Sequence, residues 1–213
     1  MADFRILAVC TGNVHRSAFA AVMLREWSGW YLTSDVSARI SVSSAGTRAA
    51  SGAPMDAGVL AIVAALGGDG HDHRAAQLSD ASIESSDLVL AATRRHRDAV
   101  LSRVPSALRR TFTIREAGRI AELLEPARRP QLDELQLRVA ALADRRAEAG
   151  GASPDDDIAD PEGRGEDAFH RMIVEELPPL VAIARALIGM PEGDVRAYLD
   201  AAADPLAHGV SAR

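Results

Sequence analysis

Short apolar runs alternate along the chain with segments of helical periodicity. Residues 4–9 form a β-branched apolar run typical of a buried strand. Further strands are predicted at residues 40–44, 87–92 and 110–114. Because strands and helices alternate, we predict a single three-layer α/β domain with a central four-stranded parallel sheet and helices on both faces.

Helices fill the segments between and after these strands. Apolar spacing and helix-stop residues predict helices at 17–31, 56–66, 94–104, from 114 to 124, 132–149 and 166–188. The last of these should be disturbed at Pro178 and Pro179. Trp27, Trp30 and Tyr31 on the first helix are expected in the core. We predict one domain over residues 1–189 and a C-terminal extension over 190–213.

The candidate chemistry lies directly after the first strand, where parallel sheets bind ligands. The loop reads Cys10, Thr11, Gly12, Asn13, Val14, His15, Arg16, Ser17 and leads into a helix. A helix N-terminus and inward-pointing amides bind phosphate, and Gly12 and Asn13 tolerate positive φ. Arg16 can donate two hydrogen bonds to phosphate oxygens, while Ser17 can donate to the Cys10 sulfur. The pattern predicts a phosphate-binding loop, residues 11–17, around a reactive thiolate at Cys10.

This loop resembles that of the low-molecular-weight protein tyrosine phosphatases, whose signature is Cys, five residues, Arg, then Ser or Thr. Further similar stretches follow in order at residues 43–47, 73–78, 87–91 and 160–161. The resemblance implies Cys10 as nucleophile, Arg16 as phosphate ligand and Asp160, before Pro161, as general acid. It also implies that Asn13, Ser44 and His73 support the loop.

The chain departs from this family at positions around the loop. Family members often carry a second cysteine at the position of His15, which allows a disulfide within the loop. This chain has a single cysteine, so that disulfide is impossible here. Aromatic walls of a phosphotyrosine pocket are replaced by Glu162 and by residues 48–51. The neighbouring aspartates 155–157 are expected to be exposed charges. We expect a wider pocket that holds a phenyl ring less firmly.

Three other functions compete with a phosphotyrosine phosphatase. Phosphoarginine-directed members of this fold carry threonine where Val14 stands, which argues against that substrate. Arsenate reduction uses a relay of cysteines, which a chain with one cysteine cannot run internally. The missing pocket walls leave a non-catalytic phosphate-binding regulatory module open. The substrate class is therefore a phosphorylated protein or a small phosphomonoester.

Composition and charge narrow the class of protein further. The chain has 213 residues, 47% hydrophobic and 25% charged, with a net charge of -6 that gives no bulk basic character for nucleic acid. The single cysteine fits a reducing compartment, and the chain shows neither a secretory signal nor a membrane-spanning run. We expect a cytoplasmic protein without a membrane partner, a cofactor or a metal. The sequence does not indicate an oligomeric state.

Overall fold

The computed structural model describes residues 4–151 and 153–203, and it contains the predicted parallel sheet. The strands are β1 (Phe4–Cys10), β2 (Ile40–Gly46), β3 (Leu88–Ala91) and β4 (Thr111–Thr113). Their order across the sheet is β2-β1-β3-β4, and every neighbouring pair is parallel. The four-stranded α/β fold predicted from the sequence is therefore confirmed.

Helices cover both faces of this sheet. They are α1 (Arg16–Tyr31), α2 (Ser34–Ser37), α3 (Ala57–Ala65), α4 (Asp80–Glu84), α5 (Arg94–Arg103), α6 (Ile114–Ala121), α7 (Leu132–Asp144), α8 (Glu166–Leu187) and α9 (Glu192–Ala203). Short 3-10 helices span Pro105–Arg110 and Pro154–Asp156. No helix in the described ranges is long and apolar enough to cross a bilayer.

Side chains of β1 alternate between two separate cores, as the period of two of a strand requires. Phe4, Ile6 and Ala8 join a large core with α1, α3, α6, α7, α8 and α9. Leu7 and Val9 join a smaller core on the opposite face, with α4 and α5. This alternation buries β1 on both faces. Its carboxyl end at Cys10 consequently lies in the interior, where the next residues form the candidate site.

Local details differ from the sequence-based expectations. The short helices α2 and α4 were not predicted, and α4 begins at a capping box between Ser79 and Ser82. Helix α8 runs from Glu166 to Leu187 with Pro178 and Pro179 inside it, and the local disturbance expected at these prolines stays a prediction. Trp27 is fully buried, but Trp30 is 36% exposed because it lies in the last turn of α1. The expectation that Trp30 belongs to the core was wrong.

Helix α9 lies within the predicted C-terminal extension and packs against the large core. Its Tyr198 is buried, contacts Trp27 edge-to-face at 5.1 Å and donates to the Leu66 carbonyl oxygen at 3.3 Å. Residues 204–213 of the extension lie outside the described residues. The boundary at residue 189 stays a prediction.

Candidate active site

The loop from Cys10 to Ser17 wraps around the Cys10 sulfur at the carboxyl end of β1. Sγ lies 2.9 Å from Ser17 Oγ and accepts from the Asn13 amide at 3.3 Å. The cysteine is 2% exposed, and Ser17 lies in the first turn of α1. The sulfur thus lies beside a helix N-terminus with a backbone N–H and a hydroxyl group within hydrogen-bonding distance.

Asn13 connects the loop to two neighbouring segments. Its φ of 60° is the left-handed conformation expected for this position. Its side-chain Nδ2 donates to Ser17 Oγ at 2.9 Å, and its side-chain Oδ1 accepts from the Ala76 backbone N–H at 2.8 Å. The Asn13 carbonyl oxygen lies 2.7 Å from His73 Nε2, which must be the donor because a carbonyl only accepts. Burial lowers the pKa of His73, so the neutral ring makes this bond.

Ser44 lies on β2, beside the loop. In the described part of the chain, no hydrogen bond joins its hydroxyl to residues 10–17, in contrast to the supporting role expected from the resemblance. The next residue, Ala45, instead accepts from Ser17 Oγ through its carbonyl oxygen at 3.5 Å. Gly46 follows, and a Cβ there would lie 2.4 Å from the Thr11 carbonyl oxygen. The contribution of β2 to the loop thus comes from its backbone.

Arg16 and Asp160 meet although 144 residues separate them. Arg16 Nη2 donates to Asp160 Oδ2 at 2.5 Å, and Nη1 donates to the Ile158 carbonyl oxygen at 3.1 Å. The arginine is 3% exposed, and its buried Nε–H has no hydrogen-bond partner among the described residues. A guanidinium with a free N–H in this loop is suited to bind an oxyanion.

The Asp160 loop is held against the sheet edge by bonds on its own backbone. The Ile158 amide donates to the Ala92 carbonyl oxygen at 2.9 Å, directly after β3. The Ala159 amide donates to Glu175 Oε2 on α8 at 2.7 Å. These bonds fix Asp160 above the phosphate loop.

The three aspartates before this loop do not share one environment. Asp157 is exposed and pairs with Arg94, which lowers the pKa of its carboxyl. Asp156, however, is fully buried: it accepts from the Ser153 amide at 2.8 Å and from the Arg119 guanidinium. The expectation that Asp156 is an exposed charge was wrong, because Asp156 caps a 3-10 turn against α6.

His15 lies under the mouth of the site and is 7% exposed. Its Nε2 is 3.7 Å from Asp56 Oδ2, and its Nδ1 is 3.7 Å from Glu162 Oε2. Its ring contacts Phe169 of α8 edge-to-face at 5.7 Å. The histidine that replaces a cysteine therefore lies between two carboxylates.

Two site residues were missed by the sequence analysis. His96 on α5 bridges Thr11 Oγ1 and Thr93 Oγ1, each at 2.8 Å, and is buried. Burial, and then the Arg16 charge, lower its pKa to about 4. Phe169 lines one groove with Val14, His15 and Glu162. His96 lies within the first helical turn after the third strand. This position at the carboxyl end of the sheet could have identified it as a site residue from the sequence.

Comparison with known proteins decides the family. Residues 5–129 match the sequence profile of the low molecular weight phosphotyrosine protein phosphatases. The chain belongs to this family. The protein-arginine-phosphatase of Geobacillus stearothermophilus is 31% identical over 152 residues, which cover 67% of this chain and 95% of that protein. The probable low molecular weight protein-tyrosine-phosphatase EpsP of Ralstonia nicotianae is 32% identical over 124 residues, or 58% and 79% of the two chains.

Solved structures agree with this membership. The YwlE arginine phosphatase from Geobacillus stearothermophilus has a TM-score of 0.56 at 27% identity, covering 85% of this chain and 89% of that one. The tyrosine phosphatase amsI of Erwinia amylovora has a TM-score of 0.52 at 22% identity, covering 100% and 95%, and supports the fold alone. The chain is thus a cysteine-dependent phosphatase whose substrates are phosphoproteins or phosphate esters.

Proposed function

We propose that this phosphatase hydrolyses phosphotyrosine on proteins through a cysteinyl-phosphate intermediate on Cys10. The observation that carries the proposal is the convergence of three groups at one sheet edge. Cys10 and Arg16 bracket the loop, and Asp160 reaches them from a distant segment with its Oδ2 at 2.5 Å from Arg16 Nη2. A nucleophile, an oxyanion ligand and a proton carrier are the groups that phosphate transfer to a thiol requires.

In the first step, the Cys10 thiolate attacks phosphorus in line with the ester oxygen. The sulfur–phosphorus bond forms while the phosphorus–oxygen bond breaks, and Asp160 gives its proton to the departing oxygen. Loop amides and Arg16 donate to the equatorial oxygens, where negative charge is concentrated. The unpartnered Nε–H of Arg16 supplies one such donor.

In the second step, water replaces Cys10 on phosphorus. Asp160, now ionised, accepts a proton from the attacking water, and the sulfur–phosphorus bond breaks to release phosphate and the thiolate. The Ser17 hydroxyl, 2.9 Å from Sγ, can donate to the leaving sulfur. Asp160 thus ends the second step with a proton in place of the one that it gave up in the first.

Arg16 and Asp160 form an ion pair that substrate binding would open. The guanidinium Nη2 lies 2.5 Å from Asp160 Oδ2. A phosphate dianion would take over the guanidinium donors and leave Asp160 Oδ2 available to the departing oxygen.

The groove beside the loop supports an aromatic substrate. Val14, Pro161 and Phe169 line it, and their apolar surfaces can pack against a phenyl ring. Phe169 contributes an aromatic surface although Glu162 occupies the usual wall position. Phosphotyrosine therefore remains the preferred substrate in our proposal.

Phosphoarginine is the second candidate, and two carboxylates favour it. Asp56 and Glu162 line the same groove and would attract a cationic guanidinium group. A relative at 31% identity is named a protein-arginine-phosphatase. Val14 lacks the hydroxyl expected of phosphoarginine-directed members.

The two substrates can be compared on peptides of one sequence that carry either phosphotyrosine or phosphoarginine. We expect kcat/KM at least tenfold higher for phosphotyrosine, a difference of about 1.4 kcal/mol. Val14→Thr should reduce this ratio. A higher kcat/KM for phosphoarginine in the wild type would reverse the assignment.

We also place the protein in the cytoplasm, where thiols remain reduced. Catalysis requires a reduced Cys10, and no second cysteine is present to protect it by an internal disulfide. Fractionation of the source cells, with antibody detection in the soluble cytoplasmic fraction, tests this placement.

A further inference from the structure

We propose that the mouth of the active site contains an inhibitory zinc site formed by His15, Asp160 and Glu162. These residues offer one nitrogen and two carboxylate oxygens, all within 4.8 Å of one another. Two ligands across a tetrahedral zinc ion lie about 3.4 Å apart. The 3.7 Å between His15 Nδ1 and Glu162 Oε2 is close to that value. Zinc binding at this site is not a step of the phosphatase reaction but regulates it.

The His15 ring is placed as a metal ligand would be. It is 7% exposed, and neither ring nitrogen makes a hydrogen bond to any described residue, because both facing carboxylates are 3.7 Å away. The edge-to-face contact with Phe169 fixes the plane of the ring. The 3.7 Å gap leaves room for a cation between Nδ1 and Glu162 Oε2, which would give both atoms a bonding partner.

Asp56 supplies the outer partner that metal-binding histidines generally have. Its Oδ1 caps α3 by accepting from the Gly58 amide at 2.8 Å and the Val59 amide at 3.4 Å. Its Oδ2 remains to face His15 Nε2 at 3.7 Å. A carboxylate on one ring nitrogen directs the other nitrogen toward the metal and raises its basicity.

Asp160 and Glu162 can reach the ion from one loop. Asp160 Oδ2 is taken by Arg16, whereas Oδ1 receives only a long bond from the Glu162 amide at 3.4 Å. Glu162 is exposed and is followed by Gly163 and Gly165, both with positive φ, so its side chain can adjust. The nearby Arg16 charge opposes a cation and should weaken zinc binding.

The donor set selects the ion and its effect. One imidazole with two carboxylates suits Zn²⁺, whereas Mg²⁺ and Ca²⁺ prefer sites made of oxygen alone. An ion on Asp160 withholds the proton carrier and covers the loop. Zinc should therefore inhibit reversibly, and EDTA should restore activity.

The test measures hydrolysis of p-nitrophenyl phosphate against zinc chloride for wild type, Glu162→Gln, Asp56→Asn and the exposed control Glu84→Gln. Glu162→Gln should raise the zinc inhibition constant at least tenfold. Asp56→Asn, which keeps the helix cap, should raise it about tenfold. Glu84→Gln should behave as wild type, as should the response of all variants to magnesium.

Calorimetric titration of zinc into Cys10→Ser and into Cys10→Ser/Glu162→Gln measures binding in proteins that have neither the Cys10 sulfur nor catalytic activity. We expect one zinc ion on the former and at least tenfold weaker binding on the latter. The proposal is overturned if Cys10→Ser binds no zinc, since the ion would then be held by the thiolate. It is also overturned if both proteins bind zinc equally.

Discussion

At the scale of single residues, Asn13 combines an unusual backbone conformation with three side-chain and carbonyl contacts. We expect Asn13→Ala to lower kcat/KM at least tenfold, since it loses the bonds to Ser17 and Ala76 and retains a strained φ of 60°. Asn13→Gly relieves the strain and loses the same bonds, so it should be impaired similarly in a p-nitrophenyl phosphate assay. Full activity of the glycine variant would show that only the conformation matters.

His96 links the phosphate loop to α5 and makes stability depend on pH. Its pKa is lowered to about 4 in the folded state, whereas the unfolded chain takes up the proton near 6.5. The unfolded state therefore binds more protons below that value, and stability falls as pH falls from about 6.5 to about 4. From urea unfolding at pH 7 and pH 5, we expect wild type to lose about 2 kcal/mol more than His96→Gln. Equal losses would contradict this role.

The sequence predicted the geometry of the phosphate-binding loop better than that of its surroundings. Cys10, Arg16 and Asn13 follow from the spacing and conformational needs of one short loop, which local chemistry determines. The burial of Asp156 was not predicted because its partner Arg119 lies on α6, and an ion pair between distant elements leaves no local sequence pattern. Long-range packing decides such positions.

At the scale of elements, α6 and α8 pack so closely that one glycine becomes essential. A Cβ at Gly118 would lie 2.4 Å from Pro179 Cβ and 2.6 Å from its Cα. Gly118→Ala should lower the free energy of unfolding by about 1–3 kcal/mol, measured with urea. The matched control is Gly29→Ala in α1, where nothing lies within 4 Å and the better helix former should add about 0.5–1 kcal/mol. An unchanged stability of Gly118→Ala would contradict the packing.

Element boundaries show where the sequence pattern stops being informative. The four strands and the long helices were predicted because each carries a sustained apolar period. The four-residue α2 and five-residue α4 are too short to show one. Proline disfavours a helix interior because it lacks the backbone N–H. Helix α8 nevertheless continues through two prolines, and Pro179 packs closely against Gly118 of α6.

At the scale of the whole molecule, one buried carboxyl group lacks the polar partner that burial normally requires. Glu176 on α8 is fully buried, and both its carboxyl oxygens have no hydrogen-bond partner among the described residues. Burial raises its pKa well above the usual value, against the opposing influence of Arg16. The folded state thus keeps a proton that the unfolded chain releases above about 4.5.

Glu176→Leu should consequently be more stable than wild type near pH 7, by about 1–3 kcal/mol. The gain should grow as pH rises from 5 to 7, because the wild type loses stability there and leucine does not titrate. Urea unfolding at three pH values, with the exposed Glu84→Gln as the control, measures this dependence. A less stable leucine variant at every pH would indicate that Glu176 is paired in solution.

In the proposed reaction Cys10 carries the phosphate and Asp160 carries the proton, without a metal. The most direct measurement is hydrolysis of p-nitrophenyl phosphate in EDTA by wild type, Cys10→Ser and Asp160→Asn. We expect an active wild type, no measurable turnover for Cys10→Ser, and a reduction of about 10²–10⁴-fold for Asp160→Asn. Undiminished turnover by Cys10→Ser, or loss of wild-type activity in EDTA, would contradict it.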